Sequence, residues 1–240
     1  MNINEYEKMY NIEATHWWSA GKRRIVQDIM TALTISPKKV LDVGCGTGFT
    51  LETFKNYGCV VGVDNSEHAL KFFKLRGQFR LIQADMEQQL PFKQNKFDTI
   101  FAFDVLEHLN NDTYVMNELY RVCKKGSLVI ITVPAYQFMW SKHDESLHHK
   151  RRYSKKALKK AVQDAGFTLK KLSYFNTILF PLIFAFRISH IFRREVKSDF
   201  YLPIPSFINW ILLSLFSMEK YFLRKINLPF GLSLLCIATK

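Results

Sequence analysis

The sequence predicts an α/β fold built on a largely parallel sheet, and three observations predict it. Strand-like and helix-like segments alternate from about residue 25 to residue 175, the order that a parallel sheet with crossover helices produces. The strand at 39–43 runs into a helix through three closely spaced glycines. A last apolar strand, at 231–239, follows a long apolar interruption.

Short runs rich in β-branched residues mark strands at 39–43 (KVLDV), 59–63 (CVVGV), 79–83 (FRLIQ), 97–103 (FDTIFAF), 127–133 (SLVIITV) and 167–174 (FTLKKLSY). Helical stretches fall between them, at about 48–57, 66–76, 112–123 and 154–165. A chain of 240 residues is expected to form one core with additions. With 48% apolar residues and only 7 Pro and 10 Gly, it has the material for that core, which excludes disordered and collagenous classes. Cys45, Cys59, Cys123 and Cys236 form no Cys-x-x-Cys pair and have no His beside them at ligand spacing. Neither a metal nor a disulfide framework is expected, and the natural compartment is a reducing cytosol. The first residues carry acids and no apolar segment, so no secretory signal is expected.

Charge is unbalanced: 34 Lys and Arg against 21 Asp and Glu give +13, a field that attracts nucleic acid, an anionic membrane or a polyanionic substrate. Part of it is local, because residues 148–171 hold nine basic residues against one acid, Asp164. Residues 176–230 differ in kind. Two segments there are apolar around nearly their whole circumference, with Pro203 and Pro205 in the link between them. Pro181 and Arg187 break the first as a membrane span, and Glu219 and Lys220 cut the second short. The readings that stay open for this insertion are extra core packed on the sheet, or else a monotopic membrane contact or a lid over an apolar substrate.

The segment VLDVGCGTG, residues 40–48, carries the chemistry. Gly44, Gly46 and Gly48 let a ligand approach the main chain and meet the N–H groups of the following helix. A nicotinamide oxidoreductase would show G-x-G-x-x-G; here the third glycine comes one residue early, and Asp42 suits an ammonium group better than a diphosphate. Further polar groups follow the next strands: Asp64 and Asn65 after the second, Asp85 and Met86 after the third, Asp104 after the fourth. In open α/β sheets that edge is where ligands bind. Asp64 is placed to accept from both hydroxyls of a ribose, and Asp85 with Met86 to take an adenine edge and face.

These residues resemble the class I S-adenosylmethionine-dependent methyltransferases over about 37–175 and the closing strand. The resemblance implies a Rossmann-like seven-stranded sheet of order 3-2-1-4-5-7-6 with an antiparallel seventh strand. It implies a core of 37–175 and 231–240, an N-terminal helical cap at 1–36 and a helical insertion at 176–230. It also implies S-adenosylmethionine as cofactor: Asp42, Gly44, Cys45 and Gly46 on the methionine part, Asp64 on ribose, Asp85 and Met86 on adenine, and Phe103 near the amino group. Asp104, Val105 and His108 would then face the methyl group. HWWSAGKRR (16–24) and HHKRRYS (148–154) are similar to a subgroup found with polysaccharide and glycolipid pathways. In that setting Trp17 and Arg23 would close over the cofactor and bind its carboxylate; an aromatic helix face packed on the core is the other reading of the two tryptophans.

Methyl transfer is an in-line displacement, so the protein mainly aligns the partners and excludes water. Where the acceptor is a hydroxyl, a base helps. His108 is the first candidate and His143 the second, ahead of Asp144 and His148. Because the fifth and sixth predicted strands are parallel to the rest, the segments after them lie over the site mouth. Aromatic and basic residues there suit a small or lipid-linked acceptor, reached by peripheral contact at the inner membrane face. The alternatives are an RNA or DNA methyltransferase, disfavoured because nucleic acid does not call for so apolar an insertion, and a catalytically idle membrane-associated protein that retains the cofactor fold.

Overall fold

The computed structural model describes residues 3–34, 37–77, 79–191 and 204–240; Pro203, predicted to lie in the link of the insertion, falls outside them. Two helices open the chain, α1 (Ile3–Ile12) and α2 (Trp17–Ala32). The sheet then builds through β1 (Lys39–Val43), β2 (Cys59–Asp64), β3 (Arg80–Gln83), β4 (Phe97–Phe103), β5 (Cys123–Pro134), β6 (Thr168–Phe175) and β7 (Ser233–Thr239). Between strands lie α3 (Phe49–Phe54), α4 (Glu67–Lys74), α5 (Asp112–Val122), α6 (Lys142–Ser146), α7 (Lys155–Asp164), α8 (Phe180–Ile191) and α9 (Ser206–Leu223).

The strand order is β3-β2-β1-β4-β5-β7-β6, as predicted, and β7 runs antiparallel to both of its neighbours. The register pairs Val43 with Val63 and Ala102, Asp64 with Gln83, and Phe103 with Thr132. The residues that follow β1 to β5 therefore emerge along one edge.

The central strands are apolar on both faces, which is what a covered parallel sheet requires. Leu41, Val43, Val61, Val63, Ile100 and Ala102 share one core with α5 and α7. The alternate residues Val40, Val60, Phe101 and Phe103 share the other with α2, α3, α4 and α9. Two boundaries differ from expectation. β5 starts at Cys123, directly off the end of α5, and the irregular β4–β5 register between Phe97 and Thr99 absorbs the added residues. The short α6 was not predicted, because five residues give no helical period; a reciprocal cap between Ser141 and Asp144 sets it.

The insertion packs one side of its last helix against the cap and leaves the other side exposed. On α9, Phe216, Glu219 and Leu223 are buried, and the Phe216 ring stacks on Trp18 at 5.3 Å. Phe207, Trp210, Met218, Tyr221 and Phe222 of the same helix are exposed. No helix of the described residues is long and apolar enough to cross a membrane.

Candidate functional site

β1 ends in a turn that only glycine fits. Gly44 has φ +67°, and a Cβ there would lie 2.4 Å from Cγ2 of Val105, which closes on it from beyond β4. Gly46, at φ +52°, has a different surrounding: only the terminal methyl of Met9 occupies the space its Cβ would enter. Gly44 and Cys45 donate their backbone N–H groups to the Val63 carbonyl, which ties the turn to β2.

Asp64 closes β2, and both of its oxygens accept backbone hydrogen bonds at 2.9 Å, one from Gly46 and one from Ser66. Burial raises its carboxyl above the ordinary range against those amides. Asp42 sits one residue before the end of β1 and is 2% exposed, and its Oδ2 has no partner among the described residues. Burial pushes this carboxyl well up, with Lys22 opposing.

Asp104 follows β4 in the left-handed region, φ +54°. Its carboxylate accepts from Lys22 Nζ at 2.5 Å and from Thr132 Oγ1 at 3.0 Å. Burial acts to raise its pKa, but Lys22 and Thr132 outweigh burial and hold it below the usual value. Glu107 is fully buried with neither oxygen partnered; burial and then the nearby Asp104 charge push it well up.

His108 is held neutral, its pKa lowered to about 4 by burial and by His149. Its ring meets that of His149 edge-on at 4.7 Å. His149, in turn, contacts Asp144 Oδ1 through Nδ1 at 2.9 Å. His143, also lowered to about 3 by burial, lies with its ring centroid 6.4 Å from that of His149. His148 is exposed and left-handed, φ +57°, and this turns the following His149 inward.

The remaining predicted residues lie around this group. Phe103 is buried under the Lys22 ammonium, 5.6 Å from its ring. Met86 is buried in the core, while Asp85 is exposed and accepts from the Glu87 N–H. Asn65 is exposed, and its carbonyl accepts from Gln83. Trp17 packs edge-on against Phe216 at 5.9 Å, so the two tryptophans form an aromatic face on α9. Arg23 lies over the Phe49 ring at 4.1 Å and donates to the carbonyls of Glu13 and Ala14. Glu13 bonds Thr47 and Arg76, which clasps the end of α1 over the glycine turn. Lys22 was missed by the sequence reading. Its signal is position: it lies one turn beyond Trp18, on the face of α2 that packs inward.

The buried unpartnered oxygens of Asp42 and Glu107 fit a ligand that carries positive charge. The space above Gly46 holds only the tip of a flexible side chain.

Residues 41–131 match the family described as "Methyltransferase domain". An uncharacterized protein of Methanocaldococcus jannaschii is 40% identical over 95 residues, covering 39% of this chain and 40% of that protein. A ubiquinone biosynthesis O-methyltransferase of Pelagibacter ubique is 26% identical over 58% of this chain and 69% of its own length. Among solved structures, an S-adenosylmethionine-dependent methyltransferase from Archaeoglobus fulgidus superposes with a TM-score of 0.60 at 21% identity, over 91% of this chain and 94% of that one. The sheet order and the superposition give the chain the fold of these methyltransferases, and the family match covers residues 41–131 of it. The fold implies S-adenosylmethionine as cofactor, and the residues present fit it: Asp64 at the end of β2 would face its ribose, and Asp42 with the Gly44–Gly46 turn its charged methionine part.

Proposed function

We propose that this chain is an S-adenosylmethionine-dependent methyltransferase acting on a hydroxyl of a small or amphiphilic acceptor, with a lipid-linked sugar as the class that suits its surroundings. The observation that carries the reading is the ring of carboxylates Asp42, Asp64 and Asp104 at the ends of three adjacent strands around the glycine turn. Bound cofactor supplies a methyl group on a cationic sulfur. Asp64 and the glycine turn orient the nucleoside, and the buried acids offset the positive charge. His108, neutral at pH 7, is available to accept a proton. The O-methyltransferase name of the Pelagibacter relative supports a hydroxyl acceptor.

The amphiphilic part of the reading is favoured by α9, which leaves Phe207 70% and Trp210 63% exposed. We read this face as a peripheral contact with the inner face of the membrane in a cytosolic protein. The test is to incubate the full chain with methyl-labelled cofactor and either membrane lipid extract or total RNA. Label in the lipid fraction supports the reading; label in RNA overturns the acceptor class. Asp64→Ala is expected to weaken S-adenosylmethionine binding at least tenfold by calorimetry, and unchanged affinity would overturn the site. Flotation with anionic vesicles, compared between the wild type and a Phe207→Ser, Trp210→Ser variant, tests the membrane contact.

A further inference from the structure

Beyond the cofactor turn, the fold assembles a second constellation, which shares His108 and Glu107 with the methyl-transfer reading and adds His149. Glu107 and His108 follow β4, and His149 arrives from the loop after α6, forty-one positions along the chain. One ligand-capable atom from each of the three lies within 4.8 Å of the others. Neither oxygen of Glu107 has a partner among the described residues, although the residue is fully buried. A carboxylate left in that condition is costly unless a cation or a donor completes it.

The two imidazoles are held as metal ligands usually are. His149 contacts the buried Asp144 carboxylate through Nδ1, and Asp144 is itself fixed by Arg152 Nε at 2.7 Å and by the Ser141 N–H. That arrangement sets the tautomer and leaves Nε2 of His149 with a free lone pair. His108 hydrogen-bonds to the backbone of His148, which likewise leaves one ring nitrogen able to accept.

We propose that Glu107, His108 and His149 bind a divalent transition-metal cation, Zn²⁺ or Mn²⁺ by ligand type, beside Asp104 at the end of β4. Two imidazoles and one carboxylate are a ligand set both ions accept, and three protein ligands leave coordination positions open to an exchangeable oxygen. Ligands about 2.1 Å from a tetrahedral ion stand about 3.4 Å apart, so a spacing of up to 4.8 Å needs to contract by up to about 1.4 Å. The use of the open positions to hold an acceptor oxygen rests on the methyltransferase reading; the binding of the cation does not.

The test uses the full chain stripped with chelator and titrated with Mn²⁺ and, separately, Zn²⁺ by calorimetry, with Co²⁺ substitution read by visible absorption. One ion per chain is expected. His149→Ala and Glu107→Gln should each lower affinity tenfold or more, with melting curves confirming that the variants fold. If a variant fails to fold, the Co²⁺ spectrum of the wild type decides the matter: bands of a nitrogen-and-oxygen site support the proposal, and the spectrum of the hydrated ion overturns it. Absence of stoichiometric binding, or affinity unchanged in folded His149→Ala, also overturns it. S-adenosylmethionine affinity measured on the stripped chain separates the two readings, because intact cofactor binding without metal binding removes this proposal and leaves the methyltransferase standing.

Discussion

The Lys22 ammonium lies 2.5 Å from Asp104 Oδ2, and it is the cation that helix α2 sends into a ring of acids formed by Asp42, Asp104 and Glu107. The pair is largely shielded, with Lys22 13% and Asp104 26% exposed at their side chains. In the class I reading, the same acids face a cofactor that carries its own positive charge. Lys22→Met should therefore cost about 1–3 kcal/mol without cofactor, because the shielded Asp104 carboxylate loses its counter-charge. The cationic cofactor should restore much of that loss, and its neutral demethylated product should restore less. Thermal melts of both proteins with each ligand check this; equal stabilisation of the variant by the two ligands would count against the charge argument.

Gly44 and Val105 make the second prediction. The left-handed backbone and the 2.4 Å approach of Val105 Cγ2 to the absent side chain act at one point. Gly44→Ala should cost about 1–3 kcal/mol in stability and abolish detectable cofactor binding. Pairing it with Val105→Ala relieves the clash but not the φ strain. The double variant should recover part of the stability, as read by urea melts.

Strands and glycine turn were legible because each is a local pattern: β-branched runs of strand length, and glycines spaced to bend the chain. The acids at strand ends were legible once the parallel order placed those ends on one edge. Lys22 was not, since nothing local distinguishes it from Arg23 and Arg24; only the rotation of α2 against the sheet selects it. The histidines show the same limit. His143 and His148 were weighed while His149 was passed over, and the left-handed backbone at His148, which settles which ring turns inward, leaves no mark in a His-His pair. The insertion was legible as apolar, but its two faces were not, because α9 carries large side chains all round.

Phe216 joins cap to insertion and supplies a third prediction. Its ring stacks on Trp18 and meets Phe175 at 5.9 Å, while Gly21 of α2 lets it approach so closely that a Cβ there would lie 2.3 Å from Cδ1. Phe216→Ala should cost about 3–5 kcal/mol through the cavity it leaves. Gly21→Val should instead push α9 off α2. Hydrogen exchange is expected to rise across α2 and α9 in that variant and to stay low in β4 and β5; uniform loss of protection would show that the two helices are not a separable layer.

His16 provides a pH dependence with a definite sign. Burial holds its imidazole neutral in the folded protein, with the pKa lowered to about 4, whereas the unfolded chain takes up the proton near 6.5. Between these values the unfolded state binds more protons, so stability rises with pH there. The contribution is complete above about pH 6.5 and is lost as pH falls toward 4, amounting to about 3 kcal/mol at most. His16→Gln removes the titration and should flatten the melting temperature over that window relative to the wild type. His108 and His143 shift in the same direction and will leave a residual slope, so the informative quantity is the difference between the two curves. Parallel curves would mean that His16 remains solvated enough to protonate in the folded chain.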